Sequence, residues 1–288
     1  VKYVYRDVDF VSFANHKLTL KNKNSFIDLE MYDLVYQVLR DGRIVEEGKA
    51  EKPAIAAGKE VKVAIPYTTT VGDDAEYLLN VSLRLKEATM WAEEGYAGAE
   101  QQLEIGKRPT LAAHNADMNS CSALTVEGQT VKGKTADGEF AISFNNGKMQ
   151  TWTYNGKALI AEGPDFNSYR KVDNDRNFRP TFSNSASVSV TGALAKSGDN
   201  ATMSVKGRAN ACQYTIDYTF YPDGVVDMKV TFSPSGSLAR MGLGMQFAAG
   251  FEDVEYYARG PWSNYADRKT GSMIGRYQTT VDDMVDEM

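Results

Sequence analysis

Short segments in which apolar and polar residues alternate run through the first 107 residues. Leu79, Val81, Leu83 and Leu85 alternate with polar neighbours. Successive side chains of a β-strand point to opposite faces, so this period of two predicts a strand with one buried face. Comparable segments lie at residues 8–13, 18–21, 34–38, 43–49, 61–65 and 101–105.

Turn residues separate these segments. Asp41-Gly42 follows the segment that begins at Leu34, and this dipeptide favours a type I′ hairpin because both central residues tolerate positive φ. About seven short strands within about 105 residues have the size and rhythm of an immunoglobulin-like β-sandwich. We therefore predict such a sandwich over residues 1–107.

The alternation resumes after residue 125 with stronger turn signals. Two Asn-Gly dipeptides, Asn146-Gly147 and Asn155-Gly156, separate three strand-like segments and predict a three-stranded meander. Residues 214–220 and 226–232 alternate on either side of Asp223-Gly224, which predicts a long hairpin suited to sheet-on-sheet packing. No segment here sustains a 3.6-residue period, so we expect little helix. The predicted fold class of the whole chain is all-β.

The predicted domain limits follow from a polar connector. Residues 108–120 begin with Arg108-Pro109 and show no clean period, so we interpret them as a linker before a second domain at 121–288. His114 in this linker is one of only two histidines, and a solvated role is expected for it. We predict no metal site in the chain.

Composition excludes several classes of function. The net charge is −6 and the pI is about 5.2, so a nucleic-acid partner is not expected. No apolar run is long enough to cross a bilayer, and no targeting signal is visible. Cys121 and Cys212 could form one disulfide or remain unpaired, which leaves the redox compartment and the localisation open.

A loop near the end of the chain is the first candidate site. Gly260-Pro261 breaks regular structure, because Pro lacks an N–H and Gly permits positive φ. Around it lie charged, amide and aromatic residues that could bind sugar, contact a partner surface, or fix the loop to its own domain. The candidate residues are Arg259, Trp262, Asn264, Tyr265, Asp267 and Arg268.

A second candidate site is the charged stretch at residues 163–180, which is too long for a simple connection. Its charged and amide groups could pair with one another in an ordered corner, or they could contribute polar groups to the lip of a sugar site. The candidate residues are Asn167, Arg170, Asp173, Asn174 and Asp175.

Both stretches resemble one known family. The pattern Tyr-x-Arg-Gly-Pro-x-x-Asn-Tyr-x-Asp-Arg-Lys-Thr at residues 257–270, continued by Gly275-Arg276-Tyr277, is similar to the small-chain domain of family 2 β-galactosidases. Residues 163–175, with the pattern Asn-x-x-Arg-x-x-Asp-Asn-Asp at 167–175, resemble a motif of the same domain. Residues 22–24, 32–42 and 91–95 resemble the β-sandwich domain that follows the catalytic barrel. We read Trp91 there as an aromatic covering the end of the sandwich.

The resemblance implies an incomplete galactose-mutarotase-like supersandwich at residues 121–288. It also implies that the two catalytic carboxylates of a retaining glycosidase lie in a (β/α)₈ barrel, which this all-β pattern cannot form. We therefore assign no catalytic residue here and expect the isolated chain to be inactive. Both ends of the chain read as cuts through a longer polypeptide.

The implied role is support and closure of an active site for a β-galactoside, with the catalytic barrel as a partner. Mg²⁺ and Na⁺ are expected in the barrel region, with no cofactor in this chain, and a homo-oligomer is possible. The alternatives are an independent carbohydrate-binding module and purely architectural or oligomerisation domains. Coplanar exposed aromatic rings would favour the module.

Overall fold

The computed structural model describes residues 2–110, 112–168, 186–209, 212–236, 238, 240–262, 264 and 269–284. The chain forms two compact units. Unit 1 comprises Val1–Ala112 and Asp253–Met288, and unit 2 comprises Ala113–Glu252.

Unit 1 contains a seven-stranded sandwich, which confirms the strands predicted for the first half. A four-residue helix, α1 (Lys2–Tyr5), precedes them. The strands are β1 (Val8–Ala14), β2 (Lys17–Asn22), β3 (Tyr32–Arg40), β4 (Arg43–Ala50), β5 (Glu60–Ala64), β6 (Tyr77–Leu85) and β7 (Ala97–Glu104). They form a three-stranded sheet in the order β1-β2-β5 and a four-stranded sheet in the order β4-β3-β6-β7.

The alternating residues explain how the two sheets pack. Leu79, Val81 and Leu83 of β6 are buried in one cluster with Leu34 and Val38 of β3 and with residues of the other sheet. Leu78 of β6 is also buried, on the opposite face, so β6 is covered on both sides. The turn between β3 and β4 has positive φ at both Asp41 (48°) and Gly42 (75°), which confirms the predicted type I′ geometry.

Within the described residues of unit 2, all regular secondary structure consists of β-strands. They are β8 (Cys121–Glu127), β9 (Thr130–Thr135), β10 (Gly138–Asn145), β11 (Lys148–Tyr154), β12 (Lys157–Ala158), β13 (Ile160–Asn167), β14 (Ser187–Ser197), β15 (Asn200–Ala209), β16 (Cys212–Phe220), β17 (Val226–Pro234) and β18 (Gly242–Phe247). The sheets have the orders β12-β11-β10-β9-β8, β14-β15-β16-β17 and β13-β18.

The turn signals of unit 2 are also confirmed. β10, β11 and β12 form the predicted meander, and both Asn-Gly turns have positive φ at both residues. β16 and β17 form the predicted long hairpin, with Ile216 opposite Val230. One cluster buries the inward side chains of these sheets, including Ile142, Tyr214 and Phe220. Burial of the Tyr214 hydroxyl raises its pKa to about 12.

A final hairpin, β19 (Asp253–Gly260) and β20 (Met273–Thr280), pairs antiparallel and belongs to unit 1. We call it the motif hairpin because it carries the 257–270 pattern. The compact units therefore divide the chain differently from the predicted limits of 1–107, 108–120 and 121–288, and those limits remain a prediction.

The remaining features complete the fold. Cys121 and Cys212 are free thiols, and Cys212 is buried. The described residues between β7 and β8 form no helix or strand, and His114 among them lies 2.7 Å from Asp223 through Nε2 and Oδ2. Within the described residues, no helix has the length and apolarity needed to span a membrane. The chain is an all-β sandwich protein, as predicted.

Candidate functional site

The loop of the motif hairpin is closed by its own polar groups. The Gly260-Pro261 peptide bond is cis. Arg259 Nη1 donates to the backbone oxygen of Ser272 at 2.9 Å, and Asn264 Nδ2 donates to the backbone oxygen of Arg259 at 2.8 Å. Both candidate side chains therefore hold the loop onto its own strands.

Trp262 lies in the same loop, and 74% of its surface is exposed. An aromatic ring held outward beside a closed loop can meet a sugar face or a protein surface. The other candidates of the loop, Tyr265, Asp267 and Arg268, lie outside the described residues.

Two tyrosine rings support the base of the loop. The rings of Tyr256 and Tyr277 lie 5.4 Å apart, and Tyr277 Oη donates to the backbone oxygen of Met273 at 2.8 Å. A Cβ at position 260 would lie 2.7 Å from Tyr256 Oη and 2.8 Å from Tyr277 Cδ2. Such contacts are too short for a carbon, so glycine at position 260 lets the rings pack against the backbone.

A buried carboxylate fastens the motif hairpin to the sandwich of unit 1. Glu76 is only 8% exposed, and it accepts a hydrogen bond from Tyr257 Oη at 2.5 Å and another from Arg108 Nε at 2.9 Å. Burial, followed by the bond to the Glu76 carboxylate, raises the pKa of Tyr257 above its ordinary value. The carboxylate is thus paired and hydrogen-bonded, as a buried charge requires.

Gln102 of β7 makes a second connection, through the backbone of β20. Its Nε2 donates to the backbone oxygen of Ile274 at 2.8 Å, and its Oε1 accepts from the backbone N–H of Ile274 at 2.7 Å. Nε2 also donates to Asn80 Oδ1 at 2.9 Å. The side-chain amide therefore pairs with Ile274 as a neighbouring strand would.

Apolar and charged contacts complete this attachment. Ile274 packs with Leu39 and Leu78 in a small buried cluster. Arg276 Nε donates to the backbone oxygen of Asp41 at 2.9 Å, while its Nη1 lies 2.9 Å from Glu255 Oε1. The motif hairpin is consequently fixed to the outer face of the four-stranded sheet.

A polar crevice of about 210 Å³ lies beside this attachment. Glu100 and Glu104 of β7 line it together with Arg259 and Lys269. Its carboxylates and cations lie near one another and can bind hydroxyl groups or ordered water. The Arg259 side chain already donates a hydrogen bond to the backbone oxygen of Ser272.

The upstream motif lies in unit 2, where Asn167 ends β13. A broad open cleft of about 630 Å³ is lined by residues 161–167 together with parts of β11 and β18. Lys148 Nζ lies 2.8 Å from Asp165 Oδ2, and both side chains are close to half exposed, so the pair contributes little to stability. Asn167 thus borders a polar cleft.

The rest of the upstream candidates, Arg170, Asp173, Asn174 and Asp175, lie outside the described residues. No three His, Cys, Asp or Glu side chains of the described residues are grouped as a metal site would need. The absence of a cofactor in this chain stays a prediction.

Sequence reasoning missed the residues that fasten the motif hairpin. Glu76 lies two residues after Asp74, in the stretch that precedes β6, and Gln102 lies in β7 beside Gln101. The only available signal was a shift in pattern on β6, where Leu78 and Leu79 are adjacent apolar residues. Two neighbouring apolar side chains point to opposite faces of a strand, which indicates that both faces are covered.

The described residues of both units form antiparallel β-sheets and no (β/α)₈ barrel. The chain is therefore an all-β sandwich protein. Comparison with known proteins then gives the family. The model described as Beta galactosidase small chain matches residues 134–287, more than half of the chain, and the model described as β-galactosidase, domain 4, matches residues 18–106. The chain belongs to the β-galactosidase small-chain family.

Curated relatives agree with this assignment. A β-galactosidase of Clostridium acetobutylicum is 29% identical across 97% of this chain and 32% of its own length. A β-galactosidase of Priestia megaterium is 30% identical across 99% of this chain and 29% of its own length. That of Streptococcus thermophilus is 27% identical across 98% and 28%, respectively.

The chain spans about 30% of the length of these relatives. The matched models account for its two β-rich regions. The chain therefore corresponds to a part of the β-galactosidases that it matches.

Proposed function

We propose that this chain supports and helps to close the active site of a β-galactosidase that hydrolyses terminal β-D-galactosides with retention. The catalytic carboxylates, and any Mg²⁺ or Na⁺ of the enzyme, would be held by a barrel domain outside the chain. The relatives, all named β-galactosidases, support the activity assigned to the longer protein.

One observation favours a role of this chain in supporting the active site most directly. The motif hairpin is fastened to the sandwich through Gln102 and Glu76, while Trp262 projects from its closed loop. A rigid mount beneath an exposed ring is what a substrate or domain rim needs, because loose positioning wastes binding energy.

The test uses the longer polypeptide encoded around this chain. We expect it to release the β-anomer first from a β-galactoside, as followed by NMR, which is the sign of retention. Trp262→Ala is expected to raise KM by about 3-fold to about 10-fold and to leave the melting temperature unchanged, since an exposed ring contributes to binding rather than packing. An α-anomeric first product would refute the retaining mechanism, and an unchanged KM would refute the rim role of Trp262.

A purely architectural role is the second candidate, and the geometry of Arg259 and Asn264 favours it. Both side chains bond to the backbone of their own loop. If the loop is only architectural, Arg259→Ala will lower stability without changing KM for the galactoside. If it forms a rim, KM will change as well.

A further inference from the structure

The turn between β1 and β2 carries a histidine at a position where hairpins of this kind favour glycine. Asn15 and His16 both have positive φ, at 49° and 59°, as a type I′ turn requires. Three other hairpin turns with this geometry have glycine as the second residue, at Gly42, Gly147 and Gly156. A side chain at that position strains the backbone, and such strain is typical of functional sites. The His16 side chain therefore calls for a role that glycine cannot fill.

The imidazole of His16 lies on the ring of Tyr67. The two ring centres are 4.1 Å apart, and the ring planes differ by only 23°. Tyr67 is 8% exposed, whereas His16 is exposed, so the imidazole forms the outer layer of the stack. The backbone oxygen of His16 accepts from the Ile65 N–H at 2.8 Å, which fixes the turn beside the end of β5. The imidazole is thus a flat ring on a buried base, with its opposite face open to solvent.

A hollow of about 570 Å³ lies against this ring. Polar groups line it next to the imidazole: the amide of Asn15, the hydroxyls of Thr68, Thr69 and Thr70, and the carboxylate of Glu104. Neither Lys nor Arg is among the described residues that line the hollow. Its volume suits a small polar molecule of the size of a monosaccharide or a disaccharide.

Glu46 of β4 orders the threonine segment of the hollow. Its Oε2 accepts from the Thr69 N–H at 2.7 Å and from the Thr69 hydroxyl at 2.6 Å, and its Oε1 accepts from the Thr68 N–H at 2.8 Å. The segment lies outside the strands, so these bonds hold its backbone in place. A hydroxyl that donates to a carboxylate keeps lone pairs that can accept from a ligand. This polar wall is therefore ordered before a ligand arrives, which lowers the cost of binding.

A flat ring beside fixed polar groups matches the chemistry of a sugar. The C–H face of a pyranose can pack on the imidazole, while its hydroxyls donate to carboxylate and hydroxyl oxygens and accept from hydroxyl and amide groups. An anion would meet the negative charges of Glu46 and Glu104. A protein partner would need a larger apolar surface than these short polar side chains provide.

We propose that this hollow binds a pyranose unit of a neutral saccharide, with the imidazole of His16 as the stacking platform. The Thr70 hydroxyl and the Glu104 carboxylate, both on exposed residues of the lining, bond to the sugar hydroxyls. The binding is a property of this chain itself and goes beyond the proposed function.

The test uses the fact that the chain contains only two histidines. Lactose is titrated into the 288-residue chain while the imidazole signals of His16 and His114 are followed by NMR. We expect a saturable shift of the His16 signals and no shift of those of His114, which lies in unit 2 and contacts Asp223. Sorbitol, which has hydroxyls but no pyranose ring, should give no saturable shift. A His16 signal that ignores lactose, or that responds equally to sorbitol, would overturn the proposal.

His16→Gly separates the platform from the turn. Glycine adopts positive φ without strain, so we expect this variant to fold, as checked by circular dichroism. Its dissociation constant for lactose, measured by saturation-transfer NMR, should rise by about 3-fold to about 10-fold because the stacked ring is lost. Trp91, predicted to cover the end of the sandwich, is instead 61% exposed, and Trp91→Ala is the control for loss of an exposed ring outside the hollow. Unchanged lactose affinity in His16→Gly, or an equal loss in Trp91→Ala, would overturn the proposal.

A second pair of variants tests the polar wall. Thr70→Val keeps the shape of the side chain and removes its hydroxyl, so the dissociation constant for lactose should rise by about 2-fold to about 10-fold. Thr110→Val is the matched control, at an exposed threonine of unit 1 outside the hollow, and it should leave the constant unchanged. Equal constants in the two variants would contradict the assignment of Thr70 to the site.

Discussion

Gln102→Leu is the sharpest test of how the motif hairpin is held. Leucine fills nearly the same space but cannot bond to the backbone of Ile274, which is only 8% exposed. The substitution leaves one buried N–H and one buried carbonyl without their partner, and Asn80 loses its contact with Nε2 as well. Each unsatisfied buried group costs about 1–3 kcal/mol, so we expect the two groups together to cost the motif hairpin about 2–6 kcal/mol.

Native-state hydrogen exchange measures this loss locally, which matters because a protein of two compact units need not unfold in one step. At about 1.4 kcal/mol per tenfold, amides of β20 should exchange about 30-fold to about 20,000-fold faster in Gln102→Leu than in the wild type. Amides of unit 2 should keep their rates, since the substitution touches only unit 1.

The matched control is Gln37→Leu on the same sheet. Gln37 makes one exposed bond, from Nε2 to Glu47 Oε2 at 3.0 Å. Its loss should change stability by no more than about 0.5 kcal/mol. Exchange across β20 that stays within about 2-fold of wild type in Gln102→Leu would refute the reasoning.

Three further predictions concern packing and titration. Burial and the bond to Glu76 raise the pKa of Tyr257 above its ordinary value of 10.0, so the wild type should lose stability as the pH rises above 10. In melting experiments over that pH range, Tyr257→Phe should lose less stability than the wild type. Equal losses in the two proteins would contradict this prediction. Gly207→Ala should lower the free energy of unfolding in urea by about 1–3 kcal/mol or more, since its Cβ would lie 1.9 Å from Tyr214 Cζ. Gly250→Ala is the comparison for backbone strain alone, because its Cβ would have no atom within 4 Å while its φ is +97°. Phe166→Ala should cost about 3–5 kcal/mol because the ring is 2% exposed and stacks on Tyr214 at 5.5 Å, and a cost below about 1 kcal/mol would argue against that packing.

Local signals in the sequence accounted for most of the strands. Asn146-Gly147 and Asn155-Gly156 both have the positive φ angles that a type I′ turn requires, so the meander could be predicted from adjacent residues. The long hairpin of unit 2 was predictable for the same reason, because strict alternation on both sides of a turn fixes its register.

Contacts between distant residues could not be predicted in this way. Gln102 and Ile274 are 172 positions apart, and Tyr257 and Glu76 are 181 apart. Nothing in the neighbourhood of either residue indicates its partner, so the contacts between the motif hairpin and the sandwich of unit 1 could not be predicted from the sequence. Arg259 and Asn264 were candidates by residue type for sugar binding, for a partner surface or for fixing the loop, and only their geometry shows the bonds that they make to backbone oxygens of Ser272 and Arg259.

We propose that this chain is a non-catalytic part of a β-galactosidase. Its most direct test is turnover of a chromogenic β-galactoside by the purified 288-residue chain beside the longer polypeptide that contains it. We predict no turnover above buffer for the 288-residue chain and clear turnover for the longer polypeptide. Turnover by the homogeneous 288-residue chain would contradict the claim.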